Sequence, residues 1–161
     1  MTLHDENVVD LHLQVRLRVA QREDIPKLEW YGQYLHFRNL FRRTYHEQQA
    51  GKRLMLLADL NNFPIGHIFI HFKTTEEPYA YLYSFRVMEM FQRQGVGTRL
   101  IHSAEAIVTQ RGLNHVTIAV AKANKDALRL YKRLDYHIFS EDEGHWQYRD
   151  HRGDLRHVHE P

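Results

Sequence analysis

Seven residues near the middle of the chain, Gln92-Arg93-Gln94-Gly95-Val96-Gly97-Thr98, constrain what surrounds them more than any other stretch. The aromatic and apolar run before them, 80–91, predicts a strand. After them Leu100, Ile101, Ala104, Ile107 and Val108 recur at helical spacing. A strand, a glycine-bearing turn and a helix in direct succession form a site for anions. The first N–H groups of a helix have no partner within it, and its dipole favours negative charge there. Glycine at 95 and 97 lets the backbone curl toward a ligand without a Cβ in the way.

Three phosphate-binding arrangements compete for such a turn. A P-loop closes on Gly-Lys-Ser/Thr, and residues 95–99 contain no lysine. A dinucleotide fingerprint asks for a third glycine or alanine where Leu100 stands, and for an early strand in a βαβ unit. The third arrangement, Gln/Arg-x-x-Gly-x-Gly/Ala, is met by Gln92, Gly95 and Gly97. By itself it does not separate a binding loop from an ordinary polar turn.

A chain of 161 residues fits one domain, here 1–161, with room for a substantial core. Hydrophobic residues make up 43% and charged residues 26%, which excludes intrinsic disorder. A net charge of +2 gives no argument for nucleic acid, and Arg38, Arg42 and Arg43 fit a solvated helix face. The absence of cysteine removes disulfides, thiolate metal sites and a cysteine nucleophile. No apolar run reaches membrane-spanning length and no signal-peptide pattern opens the chain, so the expected location is cytoplasmic.

Along the chain, residues 1–10 are polar and expected to fray. Leu11, Leu13, Val15, Leu17 and Val19 alternate with polar residues, which predicts a half-buried strand over 11–19. Asp24 is placed to cap a helix with Pro26 in its first turn. Helical character then persists over 25–50, rich in aromatics and divided at Gly32. A hairpin follows, 53–59 and 65–72 about the turn Asn61-Asn62. Beyond the loop at 74–78 come the central strand, the turn and its helix, which stops at Gly112. The next strand is 115–121, and Asn124 caps a short helix with Ala127, Leu130, Tyr131 and Leu134 on one face. Tyr136 and Ile138, then Trp146 and Tyr148, suggest a last hairpin about 141–144, ahead of a polar tail over 150–161. His145, His151, His157 and His159 lack carboxylates at ligand spacing, so no metal is expected.

The order Gln92-x-x-Gly95-x-Gly97, then helix, strand and Asn124-x-x-Ala127-x-x-Leu130-Tyr131-x-x-Leu134-Asp135-Tyr136, closely resembles the Gcn5-related N-acetyltransferase (GNAT) superfamily. Arg18-x-Ala20-x-x-Glu23-Asp24-Ile25-Pro26 resembles that family's opening strand and helix, and Pro64-Ile65-Gly66 its second hairpin. The resemblance runs from about residue 11 to 148. It implies an α+β fold: a mixed, mostly antiparallel sheet of about six to seven strands with a splayed parallel pair, flanked by about four helices. Asp135 stands where the family has glycine, in a left-handed position that aspartate tolerates.

The resemblance also implies acetyl-CoA as co-substrate, lying between strands 80–91 and 115–121. Its pantetheine arm would pair with the backbone of Phe85, Arg86 and Val87. Its pyrophosphate would take N–H groups of Gln92, Arg93, Gln94, Gly95, Val96, Gly97 and Thr98, with Arg93 and Arg99 supplying charge and Asn124 a further contact. The family places Tyr131 beside the sulfur as general acid. A phenol with pKa about 10 can protonate or hydrogen-bond a leaving thiolate whose own pKa is about 8.5. The family's usual glutamate on the central strand is missing: Tyr81 to Val87 contains no carboxylate, and Glu89 falls in the loop. The remaining candidates for the base are Tyr83, Tyr81, His67 and His71, acting directly or through water, with Tyr83 taken first. Tyr31, Tyr34 and Tyr81 are expected to contact the acceptor, with Tyr79 nearby.

The expected activity is that of an acyl-CoA-dependent N-acyltransferase, moving acetyl from acetyl-CoA to a small-molecule amine by direct attack in a ternary complex. A CoA-binding module that has lost catalysis and a protein or peptide N-acetyltransferase are the alternatives. Nucleic acid and membrane are not expected as partners; a homodimer is compatible with the sequence.

Overall fold

The computed structural model describes residues 5–142, 145–150 and 155–157, with the side chains of 6–139. Among the described residues, eight strands form one sheet in the order β1-β2-β3-β4-β5-β7-β6, with β8 on β7. They are β1 (Arg16–Val19), β2 (Arg53–Leu60), β3 (Phe63–Lys73), β4 (Tyr79–Val87), β5 (Val116–Ala121), β6 (Tyr136–Asp142), β7 (His145–Asp150) and β8 (Leu155–His157). All neighbours are antiparallel except β4 and β5. The α-helices among the described residues are α1 (Arg38–Gln49), α2 (Val96–Gln110) and α3 (Lys125–Arg133), and the longest 3-10 helix is Arg22–Glu29. No helix among the described residues is long and apolar enough to cross a membrane.

The central strands are buried on both faces, so the core has two compartments. Leu56, Ala58, Ile68, Ile70, Ala80 and Leu82 face Leu100, Ile101, Ala104 and Val108 of α2. Met55, Leu57, Phe69 and Tyr83 face Ile25, Leu28 and Phe41 on the other side. The period-two alternation of strand side chains makes this division, because successive residues enter opposite compartments. The hairpin turns where expected: Asn61 and Asn62 both have positive φ, 51° and 66°, as a two-residue primed turn requires.

Several expectations need correction. The first strand pairs only over Arg16–Val19, because its partner β2 ends at Leu60; Leu11 and Leu13 are exposed. Asp24 is not the cap residue. It lies buried in the first 3-10 turn, accepts from the Gln21 N–H at 2.7 Å and receives two hydrogen bonds from Arg18. Burial pushes its carboxyl up, but Arg18 and the Gln21 N–H together hold it below the usual range. The helical stretch is broken as expected at Gly32 (φ 95°), which follows Trp30 and Tyr31, themselves at φ 43° and 58°. The central strand stops at Val87 rather than 91, and a 3-10 turn, Glu89–Phe91, carries Glu89 as the expected exposed loop residue. β8 arises inside the stretch expected to be a polar tail. The turn residues Glu143 and Gly144, and His151 and His159, lie outside the described residues.

Candidate acetyl-donor and acceptor site

β4 and β5 pair side by side only at Ala80–Val116, Tyr81–Thr117 and Leu82–Ile118. Past that point the parallel ladder ends, and a cavity of about 920 Å³ opens between the strands, α2 and α3. The cause lies in β4. Against β3 its register advances from Phe69–Tyr83 to His67–Arg86, one residue more on β4 than on β3, and Ser84 sits at φ 51°. Such a bulge bends the strand and reverses the side-chain alternation beyond it. Ala80 and Leu82 therefore share a compartment with Phe85 and Val87, while Arg86 turns to the aromatic side. The Arg86 guanidinium lies 4.6 Å from the Tyr34 ring and 4.7 Å from Phe37, and donates to the Ser84 hydroxyl at 2.9 Å.

At one end of the cavity is the turn. Arg93 (φ 62°) and Gly95 (φ 89°) are both left-handed, and Gly95 is the residue before the first helical position of α2. The first helical N–H to reach a carbonyl is that of Arg99, bonded to Gly95 at 3.0 Å. Those of Val96, Gly97 and Thr98 precede it and are the donors that the helix start leaves open. Gly97 has a packing requirement: a Cβ there would stand 3.0 Å from Cζ of Phe85. Gln92 donates through its side chain to the Val87 carbonyl at 2.8 Å, tying the turn to the end of β4. These features fit a CoA pyrophosphate with its pantetheine alongside β4.

α3 forms the facing wall. Asn124 accepts from the Ala127 N–H at 3.2 Å and so caps it, as expected. Tyr131 is 4% exposed, lines the cavity, and lies 6.4 Å from Phe85 and 5.7 Å from Tyr136, measured between ring centroids. Asp135 is left-handed, φ 65°, as its place in the motif requires. Two lining cations were not anticipated: Arg129 and Arg133, four apart on α3. Their spacing puts them on one helical face beside the turn, and Arg133 reaches the Thr98 hydroxyl at 3.4 Å. The sequence signal was there, two arginines flanking the motif tyrosine. Arg99, by contrast, is exposed and does not line the cavity. The one carboxylate among the described lining residues is Asp126, paired with Arg129.

The residues expected to act as base or to hold the acceptor are dispersed. Tyr83 lines the cavity, but its hydroxyl receives a hydrogen bond from Arg53 at 2.8 Å and shares one with Thr44 at 3.3 Å. Arg53 also pairs with Glu47. Burial pushes the Tyr83 phenol above its ordinary value, against the pull of Thr44 and Arg53; that is the wrong direction for a base. Burial lifts Tyr81 to about 12, and its ring stacks on Tyr83 at 5.7 Å. His67 is fully buried against Trp30, Phe41 and Phe69, and burial pushes it down to about 3. His71 falls to about 4 through burial and the neighbouring Arg53. Tyr34 lines the cavity, whereas Tyr31 is 90% exposed, stacks on Phe63 and does not.

Comparison with known proteins agrees with this fold. The family model described as Acetyltransferase (GNAT) family matches residues 18–136. A mouse thialysine N-epsilon-acetyltransferase is 33% identical over 70 residues, 44% of this chain and 41% of that protein. The matched stretch thus spans less than half of that relative's length. The PaiA N-acetyltransferase of Thermoplasma acidophilum, solved with coenzyme A, superposes with TM-score 0.66 at 17% identity, over 83% of this chain and 96% of that one. The aminoglycoside N-acetyltransferase AAC(6')-Iy, also solved with CoA, gives 0.71 at 15% identity over 84% and 95%. On the strength of the family match, from the strand that carries Arg18 to the Tyr136 that closes the second motif, the chain belongs to the acetyltransferase (GNAT) family.

Proposed function

We propose that this protein transfers an acetyl group from acetyl-CoA to a small-molecule amine, both held in the cavity between β4 and β5. The observation that carries the reading is the end of β4–β5 pairing at Leu82–Ile118, directly beside the open N–H groups of α2. An unpaired strand edge suits the amide-bearing pantetheine arm, and the open N–H groups of Gly97 and Thr98 with Arg93, Arg129 and Arg133 suit its phosphates. Acetyl-CoA, when bound, supplies an activated acyl group on a good leaving thiolate. Thialysine and aminoglycosides, named in the relatives' activities, are small amines, which supports the acceptor class.

Tyr131 acts as general acid. Its burial on the cavity wall against Phe85 fixes the ring, and its hydroxyl gives a proton or hydrogen bond to the sulfur as the carbon–sulfur bond breaks. The amine nitrogen forms the new bond to the acetyl carbon and releases its proton to water in the cavity. Tyr83 serves as a wall for the acceptor, fixed by Arg53 and Thr44, because its raised pKa leaves no phenolate at neutral pH. Tyr34, held over Arg86, is the second acceptor contact. We place the protein in the cytoplasm.

The protein has no cysteine, so thiol-reactive dye reports free CoA without background from the enzyme. Acetyl-CoA incubated with a panel of amines should release thiol well above hydrolysis for at least one small acceptor. Tight CoA binding with no release for any amine would replace this reading with that of a binding module. Release only with peptide amines would move the acceptor class.

A further inference from the structure

Residues 8–15 present an unusual surface. Val8, Val9, Leu11 and Leu13 are 67%, 77%, 77% and 55% exposed, and none of these residues pairs with a strand among those described. They run directly into β1, which ends the sheet order, so its outer edge has no strand partner among the described residues either. Yet Val9, Leu11, Leu13, Val15 and Leu17 keep strict alternation, the pattern of a strand with one buried face. A strand pattern twice as long as the strand it forms asks for a second partner. Natural edges of this length are normally blunted or covered.

We propose that residues 8–18 of two copies of this chain pair as an antiparallel ribbon about a two-fold axis at Leu13, joining the two sheets edge to edge. The second copy is selected by the self-complementarity of the segment. With Leu13 opposite Leu13, the register sets Asp10 against Arg16, His12 against Gln14 and Leu11 against Val15. Both Asp10 and Arg16 are exposed in the single chain, so the ribbon gains two symmetric ion pairs on its polar face. Its other face is wholly apolar: Leu11, Leu13, Val15 and Leu17 of each copy. Val15 and Leu17 already pack against the compartment under α2, so that face continues an existing core. Shifting the register by one residue would set apolar against polar side chains across the ribbon. About eleven residues a side is short beside the roughly 20–30 of a standard interface, so the dimer should dissociate on dilution.

Sedimentation of the full chain over a range of concentrations tests this. The wild type should show a concentration-dependent dimer. Leu13→Lys, which sets two like charges on the axis, should raise the dissociation constant roughly tenfold or more with CoA binding unchanged. Asp10→Arg and Arg16→Asp should each weaken self-association, and an equimolar mixture of those two variants should recover a dimer, now mixed, because every ribbon pair is again opposite in sign. A strictly monomeric wild type, or a dimer indifferent to all three substitutions, would overturn the proposal. Recovery absent from the mixture while Leu13→Lys dissociates the dimer would overturn the stated register.

Discussion

Replacing Gly97 with alanine sets two effects of opposite sign against each other, and the structure supplies the size of each. A glycine in a helix costs about 0.8–1.0 kcal/mol relative to alanine, so the new methyl should stabilise α2 by up to that amount. Against this, the methyl would stand 3.0 Å from Cζ of Phe85 and 3.8 Å from a methyl of Val87. Carbon atoms prefer about 3.5–4.0 Å, so the Phe85 ring must retreat by roughly 0.5 Å. Val87 and Tyr131 border it on the way. Overpacking of this kind costs about 1–3 kcal/mol, leaving a net destabilisation of about 0–2 kcal/mol and a fall in Tm of no more than roughly 8 °C. CoA affinity should suffer more, about tenfold or greater, because the same shift moves the backbone of β4 and the start of α2, the two elements proposed to grip the ligand. Isothermal titration with CoA beside thermal denaturation separates the two effects. The decisive variant is Gly97→Ala combined with Phe85→Leu, which takes away the atoms the methyl meets. The pair should show favourable coupling, with the double variant binding CoA better than the product of the single losses. Simple additivity would refute the argument from close approach. Gly95→Ala is the contrast: at φ 89° with nothing within 4 Å of the added Cβ, it should cost about 1–2 kcal/mol through backbone strain alone, with no rescue by Phe85→Leu.

Four further outcomes follow. Tyr131→Phe should lower kcat by roughly 100-fold with CoA affinity nearly unchanged, measured by thiol release and titration; lost affinity with intact turnover would remove its role as acid. Because His67 at about 3 and His71 at about 4 are both neutral at pH 7, kcat/KM should follow the acceptor's own deprotonation, with no separate inflection between pH 6 and 7. Asp24 has a folded-state pKa below its unfolded value, so its stabilisation is complete above about pH 4 and fades as pH falls through the lower, folded value. Asp24→Ala should accordingly cost about 2–3 kcal/mol at pH 7 in a urea melt, somewhat less than a fully buried pair because Arg18 keeps Asp59 at 3.0 Å.

Much of this architecture could be read from the residues. The Asn61-Asn62 turn, the break at Gly32, the Asn124 cap and the left-handed Asp135 each follow from backbone preferences that a few local residues decide. The turn before α2 and the start of that helix are legible for the same reason, since a helix start and its glycines are local. What escaped was set by partners distant in sequence. The bulge at Ser84 leaves no clear mark in the run 79–87, where Tyr, Ala, Leu and Phe suit either face of the sheet, yet it turns Phe85 and Arg86 to opposite sides and opens the cavity. In the sequence Tyr83 reads as an available phenol, but Arg53 and Thr44, thirty and thirty-nine positions away, hold its hydroxyl. The alternation over 11–19 reads as one strand, but β2 is long enough to pair with only its second half.

The central claim is that acetyl-CoA binds where β4 leaves β5, with its pyrophosphate on the start of α2. Backbone amide spectra recorded while CoA is titrated into the isotope-labelled protein test it directly. The account predicts the largest shifts at Val96, Gly97 and Thr98, with a second group at Phe85 to Val87, all saturating with one dissociation constant. Shifts centred elsewhere, with those six amides unmoved at saturation, would contradict it.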